Sequence, residues 1–165
     1  MLNNRISILL GSLIILIAAF LFFSPSLYLK YMVVLQTDRI IYQTNVQRVA
    51  NGLFSLSENE LLNEMAKEKA NDMFSKQYFD HVSPSGFGLE ELAKDNKYDY
   101  AEVGENLLVG VFYDEEQVLN AWMKSPPHKA EILNRNFTEI GVAAVKGTYN
   151  DQIVWMLVQE FGKPR

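Results

Sequence analysis

The hydrophobic pattern divides the chain into two parts of different character. Residues Ile6–Phe23 (ISILLGSLIILIAAFLFF) are 18 consecutive uncharged, mostly apolar positions, and no charge follows until Lys30. As a helix such a run spans roughly 27 Å, close to the hydrocarbon thickness of a bilayer. A cleaved signal peptide has a shorter apolar core, about 7–15 residues, followed by an A-x-A-like site; here Phe-Phe-Ser-Pro follows instead. The expectation is a transmembrane signal-anchor helix over 6–26 behind a short cytoplasmic N-terminus, 1–5, with secretion after cleavage as the alternative. A second apolar run, Leu27–Leu35, holds Tyr28, Lys30 and Tyr31. These side chains suit a membrane interface, so 27–37 is read as a juxtamembrane segment.

From Asp38 the pattern becomes mixed, which marks an extracytoplasmic domain over 38–165. Asp38 is placed to cap a helix carrying Ile41, Asn45, Val46, Val49 and Leu53 on a helical period. Ser57-Glu58-Asn59-Glu60 reads as a capping box. Behind it Leu61, Leu62, Met65, Ala66, Ala70, Met73 and Phe74 form one apolar stripe that ends near Gln77. Tyr78–Gly88 is a loop punctuated by Ser83-Pro84-Ser85-Gly86, and a short helix follows near Phe87–Lys94. Tyr98–Val109 reads as extended, with Gly104 marking a bulge or a close backbone approach. Asp114 caps another helix, which Pro126 and Pro127 stop, and a further short helix starts at Pro127. Glu139–Val145 and Ile153–Phe161 are apolar and partly β-branched, and their short Gly/Asn/Asp connection predicts an antiparallel hairpin. This order gives an α+β domain, with an antiparallel sheet between helical layers.

Charge narrows the partners. The chain carries 15 Lys+Arg against 20 Asp+Glu, and through Thr37 the only charged side chains are Arg5 and Lys30, so the acidic excess lies in the soluble part. An acidic domain repels phosphate backbones, which argues against nucleic acid as a partner. With no cysteine there is no disulfide and no thiolate metal site.

Candidate chemistry rests on four places: His81, Glu105 with its neighbour Asn106, Ser125, and His128. His81 and His128 are the two histidines of the chain. Two imidazoles and a carboxylate suit a divalent transition metal such as zinc. Equally, a histidine paired with Glu105 suits general-base work, or Ser125 could act as a nucleophile. Spacing decides none of these, because there is no H-E-x-x-H, no G-x-S-x-G and no Gly-rich phosphate loop. Ser125 before Pro126 reads most simply as a turn residue, and Trp122, Trp155 and Phe137 as core. Glu102, Glu139 and Glu160 read as solvated strand charges, whereas a buried Glu105 would need partners.

Several motifs occur together in one order: Asn45-x-x-Arg48…Gly52-Leu53, Leu62-x-x-x-Ala66-x-x-Lys69-Ala70-x-Asp72-Met73, Phe79-x-His81-x-Ser83-Pro84-x-Gly86, Gly104-Glu105-Asn106-Leu107, Trp122-Met123-x-Ser125-Pro126-x-His128 and Phe137-Thr138-Glu139-Ile140-Gly141-Val142. Over about Thr44 to Phe161 the chain closely resembles the bacterial, cysteine-free branch of the CAP superfamily of SCP-like extracellular domains. The resemblance implies a three-layer α-β-α sandwich with a central antiparallel sheet, and a surface cleft holding two histidines and two acids. His81, Glu105 and His128 match three of these, while Ser125 stands where animal and plant members keep the second acid. The resemblance also points to zinc or another divalent ion on His81 and His128, and the residue types offer Glu105 as a further candidate ligand. Functions across the superfamily are diverse, from lipid or sterol binding to channel modulation, defence and proteolysis. The missing acid favours binding over catalysis. The leading expectation is a single-pass, membrane-anchored binding module outside the cytoplasmic membrane. Its cleft of His81, Glu105, Asn106, Ser125 and His128 would take a small ligand, lipid or envelope component. The alternatives are a zinc-dependent hydrolase of peptide, ester or envelope substrates, using His81, Glu105 and His128, and a structural envelope protein without an active cleft.

Overall fold

The computed structural model describes residues 33–165, and within them Leu35–Arg165 forms a compact unit with its own core. The anchor expected over 6–26 lies outside the described residues. Among the described residues, no helix is long and apolar enough to cross a membrane. The elements are α1 (Thr37–Ala50), β1 (Ser57–Glu58), α2 (Glu60–Lys76), α3 (Leu89–Asp95), β2 (Tyr100–Gly110), α4 (Glu115–Lys124), α5 (Pro126–Ile132), β3 (Glu139–Tyr149) and β4 (Gln152–Pro164). The α+β class expected from the pattern is what forms.

The sheet runs β1-β3-β4-β2. β4 pairs antiparallel with both β2 and β3, but β1 pairs parallel with β3, so the sheet is mixed rather than wholly antiparallel. Ser57 and Glu58 are the cause. The expected capping box places them at a helix start, yet they align with Glu139 and Ile140, and the Ser57 N–H donates to the Thr138 carbonyl at 2.9 Å. Asn59 caps α2 instead, its Oδ1 accepting from the Leu61 and Leu62 N–H groups. β3 and β4 meet in a two-residue turn at Asn150-Asp151, both with positive φ (48° and 60°), the geometry that suits the right-handed twist of a tight hairpin.

Helices cover both faces. On one, Ala66, Ala70 and Met73 of α2 pack against Leu107, Ala143, Met156 and Val158 of the three long strands. Leu62 and Met65 continue the same helix onto Leu92 and Ala93 of α3 and onto Tyr98. Each such fully buried Leu or Met side chain stabilises the fold by roughly 2 kcal/mol. Gly141 sets how close α2 lies, since a Cβ there would run into the backbone of Leu62 and Asn63. On the other face lie α1, α4 and α5, with Trp122, Ile132 and Phe161 fully buried.

α1 differs from its sequence reading. It starts at Thr37 after Gln36, without a side-chain cap, and Asp38 sits in its first turn. The Gln36 N–H instead donates to Glu115 Oε1 at 2.8 Å, tying this end to α4. Its buried face is Ile40, Ile41, Thr44 and Arg48, whereas Val46 and Val49 are exposed. Half of that face is polar because it binds the interior by hydrogen bonds. Thr44 Oγ1 accepts from Gln159 Nε2 at 2.9 Å, and the Arg48 guanidinium donates to four backbone carbonyls.

Candidate functional site

The histidines are brought to the β2 side of the sheet by two different devices. His81 rides on the loop between α2 and α3. That loop is held by Lys69, a buried side chain whose Nζ donates to the His81 carbonyl at 2.6 Å, and by the Ser83 hydroxyl, which accepts from the Phe87 N–H. His128 sits in α5, which begins immediately after α4 because Pro126 cannot continue the helix before it and is well suited to begin the next. Its backbone carbonyl accepts from Asn106 Nδ2 at 3.0 Å. Asn106 is completely buried and also donates to Gln159 Oε1. Of the expected cleft residues, Asn106 therefore acts as a strut under α5 and does not line the cleft. Ser125 is the junction between α4 and α5 and makes no side-chain cap bond.

Alternation along β2 puts Glu105 and Asn106 on opposite faces of the sheet. Glu105 is 8% exposed and its Oε1 lies 2.7 Å from His81 Nδ1, while the His81 ring is largely open to solvent. This bond, outweighing the opposing effect of burial, holds the His81 pKa above its ordinary value. His128 goes the other way: burial and then the nearby charge of His81 hold its pKa below the ordinary value. The pair therefore divides its roles. His81 favours the imidazolium with Nδ1–H on Glu105, leaving Nε2–H as a donor, and His128 favours the neutral ring, which can accept.

An acid that sequence reading missed stands close by. Glu131 follows His128 by three positions on α5, so both lie on one side of the helix. Burial, then the charge of Glu102, raise its pKa, and His81 opposes them. Its Oε2 occupies the space that a Cβ on Gly104 would need, together with the Phe137 ring. Gly104 is thus a point of close approach, while the register shift in β2 falls between Tyr100 and Glu102. The i, i+3 spacing from His128 was the available signal for Glu131.

Three glutamates expected as solvated strand charges turn out to be bound or buried. Glu102 accepts from the Asn134 and Asn136 side-chain amides, and Glu139 from the Tyr98 hydroxyl and Asn59. Glu160 is fully buried. Trp122, Trp155 and Phe137 are buried core as expected.

The donor set does not fit a three-ligand zinc centre. Glu105 spends Oε1 on His81 Nδ1, and its Oε2 is buried without a partner among the described residues. Among those residues, no group of three or more His, Asp or Glu side chains is arranged to hold a metal ion. A catalytic zinc site needs three protein ligands and an open position. A cavity of about 260 Å³ lies behind the His81 loop, against Lys69, Asp72, Tyr78, Phe87 and Leu92, and neither histidine lines it.

Fold and site define an α+β domain that carries His81, joined to Glu105, and His128 at the β2 side of its sheet. Residues 41–161 match the CAP family, described as the cysteine-rich secretory protein family, and the chain belongs to it. It is 40% identical over 108 residues to the uncharacterized protein YkwD of Bacillus subtilis (strain 168), covering 66% of this chain and 42% of that relative. The uncharacterized membrane protein YlbC of the same organism is 28% identical over 116 residues, covering 70% of this chain and 33% of YlbC. The chain thus spans less than half the length of these relatives. Among solved structures, an extracellular protein containing an SCP domain from Bacillus anthracis str. Ames superposes with a TM-score of 0.67 at 27% identity, over 77% of this chain and 40% of that one. An outer surface protein from Borrelia burgdorferi has the same TM-score at 23% identity, over 78% and 92% of the two chains, and shares the fold.

Proposed function

We propose that this protein is a membrane-tethered binding domain of the cell envelope, with the CAP unit outside the cytoplasmic membrane. Its cleft takes a small polar ligand between His81 and His128. The observation that carries this reading is the 2.7 Å contact between His81 Nδ1 and Glu105 Oε1. It supports the charged, donating form of one imidazole beside a second that favours neutrality. A ligand with an acceptor or anionic group facing His81 and a hydroxyl or amide N–H facing His128 matches that pair. The tether is the apolar run Ile6–Phe23, and the extracellular protein of Bacillus anthracis and the membrane protein YlbC are consistent with this placement.

The test is capture of envelope extracts by the full chain in detergent, compared with the His81→Ala/His128→Ala double variant. The reading predicts a retained component that the double variant loses while keeping its fold. Equal capture by a folded double variant would overturn it.

A further inference from the structure

Glu160 lies fully buried on β4, the strand paired on both sides, and is in register with Glu105 on β2. Among the described residues, neither Glu160 oxygen finds a hydrogen-bond donor and Glu105 Oε2 is equally without one, although the two residues lie directly opposite each other on paired strands, where side chains on one face are close neighbours. Ionised carboxylates only accept, so two of them cannot satisfy one another, and like charges adjacent in the interior cannot both be sustained. A single proton pairs two of the three orphaned oxygens at once: an O–H on one group donates to the other, and one Glu160 oxygen stays unpaired.

Which group carries the proton follows from the surroundings. Glu105 already receives the His81 ring, and an imidazolium stabilises an anion. Glu160 has no such partner. Facing the pair are His81 and Tyr78 from the loop and Lys69 from α2, while β3 presents only Gly141 in register. Lys69 favours an ionised Glu160, but its ammonium is engaged by the His81 carbonyl and the Tyr78 ring, and burial and Glu105 outweigh it.

We propose that Glu160 is a neutral carboxylic acid whose O–H donates to Glu105 Oε2, making it a positioning residue for His81. The three groups form a chain from the solvent-facing imidazole to the centre of the sheet. With Glu160 neutral, the chain carries no net charge, which is what lets the cleft accept an anionic or acceptor group. The proposal rests on the His81–Glu105 reading, but its test needs no ligand, so it can fail independently of the binding function.

The test is carboxyl ¹³C and imidazole NMR of the full chain in detergent micelles, as wild type, Glu160→Gln and Glu160→Met. In the wild type, one glutamate carboxyl should stay protonated at pH 7, and its signal should be missing from both variants. Glu160→Gln substitutes an N–H donor for the O–H, so the His81 titration midpoint should stay within about 0.3 unit of wild type. Glu160→Met removes the donor, so its midpoint should move. An ionised Glu160 predicts instead no protonated carboxyl at pH 7 and a fall of about one unit in the Glu160→Gln midpoint, since a neighbouring anion is lost. Either result overturns the proposal, as does equal behaviour of the Gln and Met variants. Should a variant fail to fold, the wild-type carboxyl spectrum decides alone.

Discussion

Arg48 is the member of the α1 face whose removal should be felt farthest away. It is 1% exposed, and its Nε donates to the Phe54 carbonyl at 2.9 Å. Nη1 donates to the Ile132 and Asn134 carbonyls at 2.8 Å each, and Nη2 to Phe137 at 3.2 Å. It therefore clamps the end of α5, the helix of His128, and the entry to β3. Arg48→Met keeps most of the volume and removes every donor. The Ile132 and Phe137 carbonyls are buried and lose their bonds outright, at about 1–3 kcal/mol each, whereas the other two can rehydrate. Relief of the guanidinium's burial, which also lowers its pKa, offsets part of this. The net expectation is a loss of about 3 kcal/mol, or a Tm lower by about 10 °C for a domain of this size. Arg48→Lys should recover roughly half, since one ammonium cannot reproduce the planar fork. Differential scanning calorimetry of Leu35–Arg165 measures the loss, and imidazole NMR should show His128 shifted in both variants. An Arg48→Met Tm within about 2 °C of wild type would refute the clamp.

Other expectations follow from the same packing. Gly141→Ala places a methyl against the α2 backbone, which cannot yield as a side chain can, so a loss of at least about 3 kcal/mol is expected in urea unfolding. Glu160 has a raised folded pKa, from burial and then Glu105, so the fold holds a proton that the unfolded chain releases. Its contribution is fully present below the ordinary carboxyl range and lost as pH rises above it. Glu160→Gln should therefore gain on wild type between pH 5 and pH 8 in thermal melts, with the gap closing toward pH 4.5; a constant gap would remove that account.

Much of the fold was legible, and the failures share a cause. The α2 stripe was readable because Leu62, Met65, Ala66, Ala70 and Met73 are apolar at helical spacing and all buried. The hairpin was readable because Asn150 and Asp151 tolerate positive φ. α1 was misjudged because Thr44 and Arg48 bury polar groups, so the apolar positions alone trace the wrong face. Glu160 was misjudged because β4 is an inner strand covered on both faces, where alternation no longer separates core from solvent. His81, Glu105 and His128 were singled out from their residue types and motifs, and of these the structure joins His81 to Glu105 directly. The strut role of Asn106 was beyond sequence patterning, since it depends on how α5 crosses β2, whereas Glu131 was signalled only by its i, i+3 spacing from His128.

The central claim is that the cleft sets a charged His81 against a neutral His128, and site-resolved imidazole NMR from pH 5 to 8.5 tests it most directly. His81 should titrate above the unperturbed midpoint of about 6.5 and His128 below it. By linkage, the stability from His81 is complete below about pH 6.5 and lost as pH rises through its folded pKa, while His128 costs stability as pH falls below about 6.5. Glu105→Gln should bring the two midpoints together, chiefly by lowering that of His81. Two histidines titrating together near 6.5 in the wild type, unmoved by Glu105→Gln, would contradict the account.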